Sequence, residues 1–360
     1  MERRKKVPFS LNRNDARPLV NQLVDGLREA IVGGYYEPGD AIPSYRELAP
    51  ALGVSEIVTK AALRRLADEG FVESRPRIGS VVRDTGEKLW RGRVVFIYDA
   101  GDTGYFQTTL AERIRVRLNV EGFLFTRSSV DRHADGSADF SLLDAALARS
   151  TDLAIVLFDR DDVCRRLAKR GVPFAAAVRR RPPVAAAGVT VISHEAAFRD
   201  FAAWCRAKEV GEVVQLGWFR HAPDAAPVLE AAGIRCRRRV LAPDFSRGML
   251  LGIEEAAFRE FRRLSEGRRL SADTLYFFTD DYLLRGALQA LVGTGLKVPG
   301  DIRIATVTNA GAGPYLAQCL PRIEVDPTAI GDAIADSTLS FLGGNGYAGG
   351  DAGGVRWLKG

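Results

Sequence analysis

Two adjacent carboxylates, Asp280 and Asp281, stand between an apolar run and a helical pattern in the segment FFTDDYLLRGALQALVG. Paired acids can carry out hydrolysis when both carboxyl groups face one reacting bond. Neighbouring residues at a helix start face different directions, however, and nothing in the sequence supplies a matched second acid. The pattern therefore favours a helix cap together with an acceptor of ligand hydrogen bonds.

The sequence gives little support for a metal site or for nucleophilic catalysis. The four cysteines form no CxxC pair, and the chain has only three histidines. The sequence has no G-x-S-x-G, H-E-x-x-H or Walker motif, and the glycine-rich stretch at 343–354 carries no phosphate-binding lysine. We expect reduced thiols, no metal, no cofactor and no enzymatic activity.

Composition describes an ordinary globular chain of two or three domains, with 360 residues of which 46% are hydrophobic. No apolar stretch is long enough to span a membrane, and no signal peptide follows the basic start, so we expect a cytoplasmic protein. The net charge of +6 permits a nucleic-acid partner. Residues 1–90 hold 15 Lys+Arg against 13 Asp+Glu, so the basic excess is not concentrated there. The arginine runs at 179–181 and 235–239 are more typical of solvated faces than of phosphate clamps.

The first ninety residues carry a sequence of helix signals. Apolar residues recur every four positions from Leu19 to Ile31 and predict a helix over 18–32. Ser44 and Glu47 form a capping box for a second helix, and Ser55 can cap a third. Two short helices joined by a turn containing glycine indicate a helix-turn-helix. The runs FVES (71–74) and SVVR (80–83) then predict a hairpin wing.

This order, with the segments PGD, PSYREL, GVS and ALRRLADEG, resembles the winged-helix domain of the GntR family of bacterial transcription regulators. The resemblance covers residues 18–82 and implies DNA binding through helix two, the start of helix three and the wing tip. Arginine forks suit guanine edges, and a helix N-terminus favours anions. The candidate DNA-binding residues are Arg46, Ser55, Glu56, Ile57, Lys60, Arg75, Arg77 and Gly79.

Helix three departs from the family pattern at its first turn. The family usually follows GVS with Arg-Thr-Thr-Val-Arg, whereas this chain has Glu56, Ile57, Val58, Thr59 and Lys60. Glu56 can accept a hydrogen bond from cytosine N4, and Ile57 can touch a thymine methyl group, which would alter the operator. Alternatively, Glu56 stabilises the helix dipole and points away from the phosphates.

The rest of the chain alternates strand-length apolar runs with helical stretches, which indicates parallel βαβ sheets. There are too many units for one modest sheet, so we expect two lobes with a ligand cleft at the carboxyl ends of the strands. The strand runs lie at 93–98, 122–126, 152–158, 173–178, 212–218, 274–279 and 302–307. The helical stretches include 106–120, 195–208, 251–265 and 281–293.

The segment at 277–309 resembles the effector domain of LacI-type repressors and periplasmic sugar-binding proteins, and LPRIEVDPTAIGDAIADSTLSFL at 320–342 resembles their crossover strand and returning helix. We therefore expect an α/β chain: a winged helix-turn-helix (1–83), a linker (84–92) and a two-lobed, periplasmic-binding-protein-like domain (93–360). The expected lobe crossovers lie near 190–193, 321–326 and 343–354. A GntR-type reader joined to such a sensor is similar to the arabinose-repressor arrangement.

The resemblance implies that Asp281 accepts sugar hydroxyls, and residues at other strand ends are candidates for the same cleft. Aromatic rings stack on sugars while carboxylates and amides take hydroxyls. For Trp218 a core position, and for His194 a surface position at a helix start, are open alternatives. The candidate effector-binding residues are Asp99, Phe158, Asp159, His194, Trp218, Asp281 and Asn309.

The expected function is sequence-specific transcription regulation, as a repressor, with operator DNA, a sugar-like effector and a second copy of the chain as partners. An enzyme fused to a winged helix is the rival class, but the eight lysines offer no convincing cofactor site. A small-molecule-binding protein with weakened or altered DNA binding is the alternative, and Glu56 is its best support.

Overall fold

The structure is a computed structural model that describes residues 5–11, 17–32, 34–76, 78–83, 90–100, 104–132, 137–218, 223–245, 248–267, 270–312 and 319–359. The chain forms two compact units. The first comprises Met1–Ile97 and Leu118–Ala154, and the second comprises Tyr98–Arg117 and Ile155–Gly360. Among the described residues, no helix combines the length and the apolar character that crossing a membrane requires.

The N-terminal part of the first unit is a winged helix-turn-helix, as the sequence predicts. Its helices are α1 (Leu19–Val32), α2 (Tyr45–Leu52) and α3 (Glu56–Asp68). The strands β1 (Val72–Arg75) and β2 (Gly79–Val82) pair in antiparallel register to form the wing. The sequence-based strand boundaries are each shifted by one residue.

The caps that define the helix-turn-helix are present. Ser44 and Glu47 form the predicted capping box, and the Ser55 hydroxyl accepts a hydrogen bond from the Val58 amide. Gly53 ends α2 with a φ of 64°, which a residue without Cβ adopts without strain. These local signals set the angle between α2 and α3 and thereby leave the first turn of α3 at the surface.

The winged helix has its own apolar core. Helix α1 packs against α3, and α2 closes the core, where Leu23, Leu27, Leu48 and Leu66 have no exposed surface. Gly26 lies so close to Phe9 that a Cβ would come within 2.6 Å of the ring. The N-terminal segment therefore packs onto α1 and adds to this core.

The remaining elements alternate strands and helices. In chain order they are β3 (Gly92–Asp99), α4 (Tyr105–Val120), β4 (Phe123–Arg132), β5 (Ala138–Asp139), α5 (Ser141–Leu147), β6 (Leu153–Leu157), α6 (Asp161–Lys169), β7 (Phe174–Val178), β8 (Gly188–Val191), α7 (Glu195–Ala207), β9 (Glu212–Gly217), α8 (Ala226–Ala231), β10 (Arg235–Val240), α9 (Met249–Glu266), β11 (Thr274–Phe278), α10 (Asp281–Leu291), β12 (Arg303–Asn309), β13 (Arg322–Val325), α11 (Pro327–Leu342), β14 (Gly350–Asp351) and β15 (Val355–Leu358).

Parallel pairing dominates the second unit. A six-stranded sheet has the order β10-β9-β11-β12-β13-β15, and only β15 runs antiparallel to its neighbour. Strands β7, β8 and β14 also pair in parallel. The strands β6, β7 and β11 are buried along their whole length and largely apolar, as expected for strands covered on both faces. The α/β class with parallel βαβ sheets is confirmed.

Strand β10 is the main element that the sequence analysis did not assign. Its sequence, RCRRRV, has the polarity of a solvated face, and its side chains are indeed largely exposed. It is an edge strand with one neighbour, β9, and its guanidinium groups pair with Glu212, Asp224 and Glu260. Charged side chains on an edge discourage pairing with another chain, which explains strand geometry in a sequence without strand-like hydrophobicity.

Candidate functional site

The first turn of α3 presents its side chains to solvent. Ser55, Glu56 and Lys60 are exposed, and 79% of the Ile57 surface is accessible. Thr59 lies on the opposite face, fully buried, with its hydroxyl 3.1 Å from the Tyr45 carbonyl oxygen. This contact fixes α3 against α2, so the exposed side chains project from a rigid support.

Charges on this surface are arranged around one aromatic ring. The Lys60 ammonium lies 4.4 Å from the centre of the Tyr45 ring and 3.7 Å from a Glu56 carboxylate oxygen. The Arg46 guanidinium lies 5.5 Å from the same ring. Arg46, Glu56 and Lys60 are therefore brought together, and Glu56 partly offsets the positive charge that Lys60 offers to a polyanion.

In the wing, Arg75 contributes a positively charged side chain to the candidate DNA-binding surface. Arg75 is exposed at the end of β1, and its Nε lies 2.6 Å from a Glu73 carboxylate oxygen. Gly79 begins β2 with a φ of 104°, a value that L side chains rarely adopt. Arg77 lies outside the described residues.

A second group of candidate residues lies at the carboxyl edge of the six-stranded sheet. Trp218 follows β9, Asp281 opens the helix after β11, and Asn309 ends β12. These strands run parallel, so their carboxyl ends lie at one edge.

The two adjacent aspartates have different roles. Asp280 caps α10, since its carboxylate accepts a hydrogen bond of 2.8 Å from the Tyr282 amide. Asp281 is only 2% exposed. Its Oδ1 has no hydrogen-bond partner within the described part of the chain. Burial raises the pKa of the Asp281 carboxyl, while the positive charge of Arg285 and a hydrogen bond from Asn309 act in the opposite direction. A buried oxygen without a partner is costly, which makes Asp281 a strong acceptor for a ligand hydroxyl.

Trp218 is partly buried and packs against the core of the six-stranded sheet. Its ring makes an edge contact with Phe245 at a centroid distance of 5.7 Å. These contacts correspond to the core position that the sequence left open for this residue.

A third group follows β3, β6, β7 and β8. Arg160 is buried and donates to the Asp99 carboxylate at 2.5 Å and to the Asp162 carboxylate at 2.9 Å. Phe158 has a φ of 62°, in a region where a bulky residue is strained. Such strain is found mainly where the surrounding structure requires a particular side-chain direction.

The Phe158 ring lies close to two other side chains. It stacks on Phe106 at a centroid distance of 5.9 Å, and the Arg179 guanidinium lies 5.4 Å from its centre. Arg179 also lies 3.9 Å from the Asp159 carboxylate, whose side chain is 5% exposed. Burial lowers the pKa of Arg179, and the charge of Asp159 opposes that shift.

His194 lies in the same electrostatic environment. Burial and, second, the positive charge of Arg179 lower its pKa to about 4. Its ring stacks on Phe198 at 5.8 Å, at the start of α7. His194 is therefore neutral near pH 7 and half-buried, with one face of the ring already covered.

Tyr105, the first residue of α4, connects the second and third groups. Its backbone amide donates to the Tyr282 hydroxyl at 3.4 Å, and its hydroxyl donates to the Ala310 carbonyl at 3.2 Å. Two residues further on, Gln107 is fully buried, and neither polar atom of its amide has a partner among the described residues. The start of α4 therefore lies beside the residues that follow Asp281 and Asn309.

Sequence reasoning missed several residues of this site. Arg179 directly follows β7, so the strand-end rule that selected Asp99 also applies to it, but the arginine run suggested a solvated face. Gln107 carried no motif, and only its burial reveals it. The missed residues are Tyr105, Phe106, Gln107, Arg160 and Arg179.

Family comparisons match both parts of the chain. Residues 19–82 match the family described as bacterial regulatory proteins, gntR family. Residues 194–350 match the periplasmic binding protein-like domain. The chain therefore combines a gntR-type helix-turn-helix domain with a periplasmic-binding-protein-like domain, as the two resemblances imply.

Individual proteins resemble one part or the other. The Escherichia coli (strain K12) mannosyl-D-glycerate transport/metabolism system repressor MngR is 37% identical over 68 residues, which are 19% of this chain and 28% of that protein. A LacI family transcriptional regulator from Arthrobacter sp. FB24, in complex with lactose, covers 74% of this chain and 97% of its own, with a TM-score of 0.55 and 19% identity. The Cra regulator from Pseudomonas putida, in complex with fructose 1-phosphate, covers 74% and 98%, with a TM-score of 0.55 and 18% identity. These structures share the fold.

Proposed function

We propose that this chain, which joins a gntR-type winged helix to a periplasmic-binding-protein-like domain, is a cytoplasmic transcription regulator that represses by binding an operator. The term sensor domain denotes residues 93–360. The observation that carries the proposal is the combination of an exposed first turn on α3 with a buried acceptor, Asp281, at the strand ends of the sensor domain. One surface suits DNA and the other suits a small polar molecule.

The effector that best fits is a sugar or sugar derivative. Asp281 offers an acceptor oxygen, Gln107 offers an amide without a partner among the described residues, and Phe158 offers an aromatic ring. This mixture recognises molecules with an apolar ring face and several hydroxyl groups. Two proteins with the same fold were crystallised with lactose and with fructose 1-phosphate, which supports the same chemical class here.

The mechanism couples ligand binding to DNA binding through the shape of the sensor domain. A ligand that contacts both Asp281 and the group around Phe158 favours the shape that brings these groups closest. It can shift the equilibrium only by its difference in affinity for the two shapes. In a homodimer, each winged helix reads one half-site, so a change in the separation of the two winged helices alters operator affinity.

An alternative function is small-molecule binding with weak or altered DNA binding. The ion pair between Glu56 and Lys60 favours it, because the cation at this turn is partly neutralised before DNA arrives. Operator binding by the natural chain and by Glu56→Arg distinguishes the two functions. The regulator binds one palindromic site in its natural form, whereas the alternative requires that only the variant does.

Effector binding is tested separately by calorimetric titration of a sugar panel. The proposal expects at least one sugar to bind the natural chain, and expects that sugar to lower or raise operator affinity in a fluorescence anisotropy assay. A sugar that binds but leaves operator affinity unchanged contradicts the proposed coupling.

A further inference from the structure

Within the first compact unit, the sensor domain contacts the winged helix directly. The Arg149 guanidinium, which follows α5, donates to the Glu29 carbonyl oxygen of α1 at 3.1 Å. The same guanidinium lies 6.0 Å from the centre of the Tyr35 ring, just beyond the end of α1. One sensor side chain therefore contacts the winged helix at two points.

A second contact lies two residues before the start of β3. Trp90 packs, partly buried, against the apolar core of the winged helix formed by residues such as Leu23, Leu27 and Leu66. An indole ring on this core buries apolar surface, so the residues leading into β3 are held against the winged helix by hydrophobic contact.

Arg93 is a buried cation near the same part of the winged helix. Arg93, at the start of β3, is 8% exposed, and it donates to the Ala146 carbonyl at 2.9 Å and approaches the Thr151 hydroxyl at 3.5 Å. Its charge and that of Arg149 act on the Glu29 carboxyl, although burial outweighs them and raises the pKa of Glu29 to about 7. Glu29 thus lies among sensor-domain cations and is not a freely solvated helix side chain.

The contact residues lie at the beginnings of two strands whose ends carry candidate effector residues. Strand β3 begins beside Arg93 and ends at Asp99. Strand β6 begins at Leu153, four residues after Arg149, and Phe158 directly follows its last residue, Leu157. Strands within a sheet are stiff, so a displacement at one end is carried to the other.

We propose that the winged helix docks on the sensor domain through Arg149 and Arg93, with Trp90 of the linker packed against the same winged helix, and that this docking surface transmits effector occupancy to the DNA-binding helices. The docking itself is independent of the proposed function, whereas the transmission rests on it. The partner of the surface is the winged helix of the same chain.

The test of docking is hydrogen exchange on the full chain carrying Arg149→Met, which keeps much of the side-chain stem but removes the guanidinium. The expected result is exchange about tenfold faster at the amides of residues 28–36, with the six-stranded sheet unchanged. Tyr35→Leu removes the ring that lies near the Arg149 guanidinium, and it should give the same increase in hydrogen exchange at residues 28–36. Arg259→Met removes an exposed arginine of α9 and serves as the matched control. Unchanged exchange at residues 28–36 in both contact variants overturns the docking.

Transmission is tested on the same variants with a sugar that binds the natural chain. Arg149→Met should keep the natural affinity for that sugar, while the effect of the sugar on operator affinity falls to less than about twofold. If Arg149→Met shows faster hydrogen exchange at residues 28–36 but the sugar still changes its operator affinity as much as in the natural chain, the proposed transmission is wrong. If the natural chain binds neither sugar nor DNA, the proposed function is wrong. The hydrogen-exchange result tests the docking independently of that outcome.

Discussion

On α3, Glu56 and Ile57 face solvent, whereas the Asp281 carboxylate at the start of α10 is almost wholly buried. The exposed residues come from one continuous turn of helix. The buried site draws its residues from strand ends far apart in the chain, with Tyr105 more than 170 positions from its partner Tyr282. Substitutions on α3 should therefore change binding with little effect on stability, and substitutions in the buried site should change ligand affinity strongly.

Replacing Asp281 should have the largest effect. In Asp281→Asn, an amide donor replaces one of the two carboxylate oxygens and the charge is lost, so sugar affinity should fall by about 3 kcal/mol, more than a hundredfold. The measurement is calorimetric titration of a sugar that binds the natural chain. Asp273→Asn, at an exposed position before β11, is the control and should bind as the natural chain does. Equal affinities in both variants would contradict the role of Asp281.

Glu29 extends the comparison because it is a half-buried carboxyl of the winged helix. Burial raises its pKa from 4.5 to about 7 against the charges of Arg93, Arg149 and Arg17, and with that of Asp25. Between pH 5 and 7 the folded chain therefore holds more protons than the unfolded chain, so the free energy of unfolding falls as pH rises.

In Glu29→Gln this pH dependence should disappear, since the amide does not titrate. The contribution of Glu29 to the difference in unfolding free energy between pH 5 and pH 8 is about 2 kcal/mol, a reduced figure because the side chain is partly exposed. Urea denaturation at the two pH values measures it. A variant with the same pH slope as the natural chain would show that Glu29 titrates as an ordinary surface acid.

Glu56 belongs to the exposed first turn of α3. Glu56→Arg removes a negative charge beside Lys60 and adds a positive one, so operator affinity at low salt should rise about tenfold and its dependence on salt should steepen. Fluorescence anisotropy over a salt series measures both quantities, and the thermal midpoint should stay nearly constant. An unchanged salt slope would mean that this turn of α3 does not lie near the phosphates.

Ser55 should give the smallest effect. Its hydroxyl caps α3 through a bond of 3.4 Å, which is long, so Ser55→Ala should cost about 0.5–1 kcal/mol of unfolding free energy. Thermal denaturation checks this value. A loss above 2 kcal/mol would show that Ser55 does more than cap the helix.

The winged helix was predictable because its signals are local. The capping box of Ser44 and Glu47, the cap at Ser55 and the turn at Gly53 each depend on residues within one short segment. The buried strands were equally clear from their continuous apolar runs. Strand β10 was not, because an edge strand needs no hydrophobic face on its solvent side.

The candidate effector site was predictable only at the strand ends. The resemblance to LacI-type effector domains, in which a helix pattern begins directly after an apolar run, made Asp281 a candidate. The stacking of Phe106 on Phe158, the burial of Gln107 and the approach of Arg179 to Asp159 all depend on contacts between segments distant in sequence. The covered position of Trp218 likewise depends on Phe245, which no local pattern reveals.

We propose that this chain binds an operator under the control of a sugar-like effector. The most direct measurement is selection of bound duplexes from a random-sequence DNA pool by the purified full chain, followed by anisotropy of the selected duplex with and without a bound sugar. We expect one palindromic site with half-sites spaced by about one helical turn or a multiple of it, and an affinity that the sugar changes. A pool in which no sequence is enriched would contradict it.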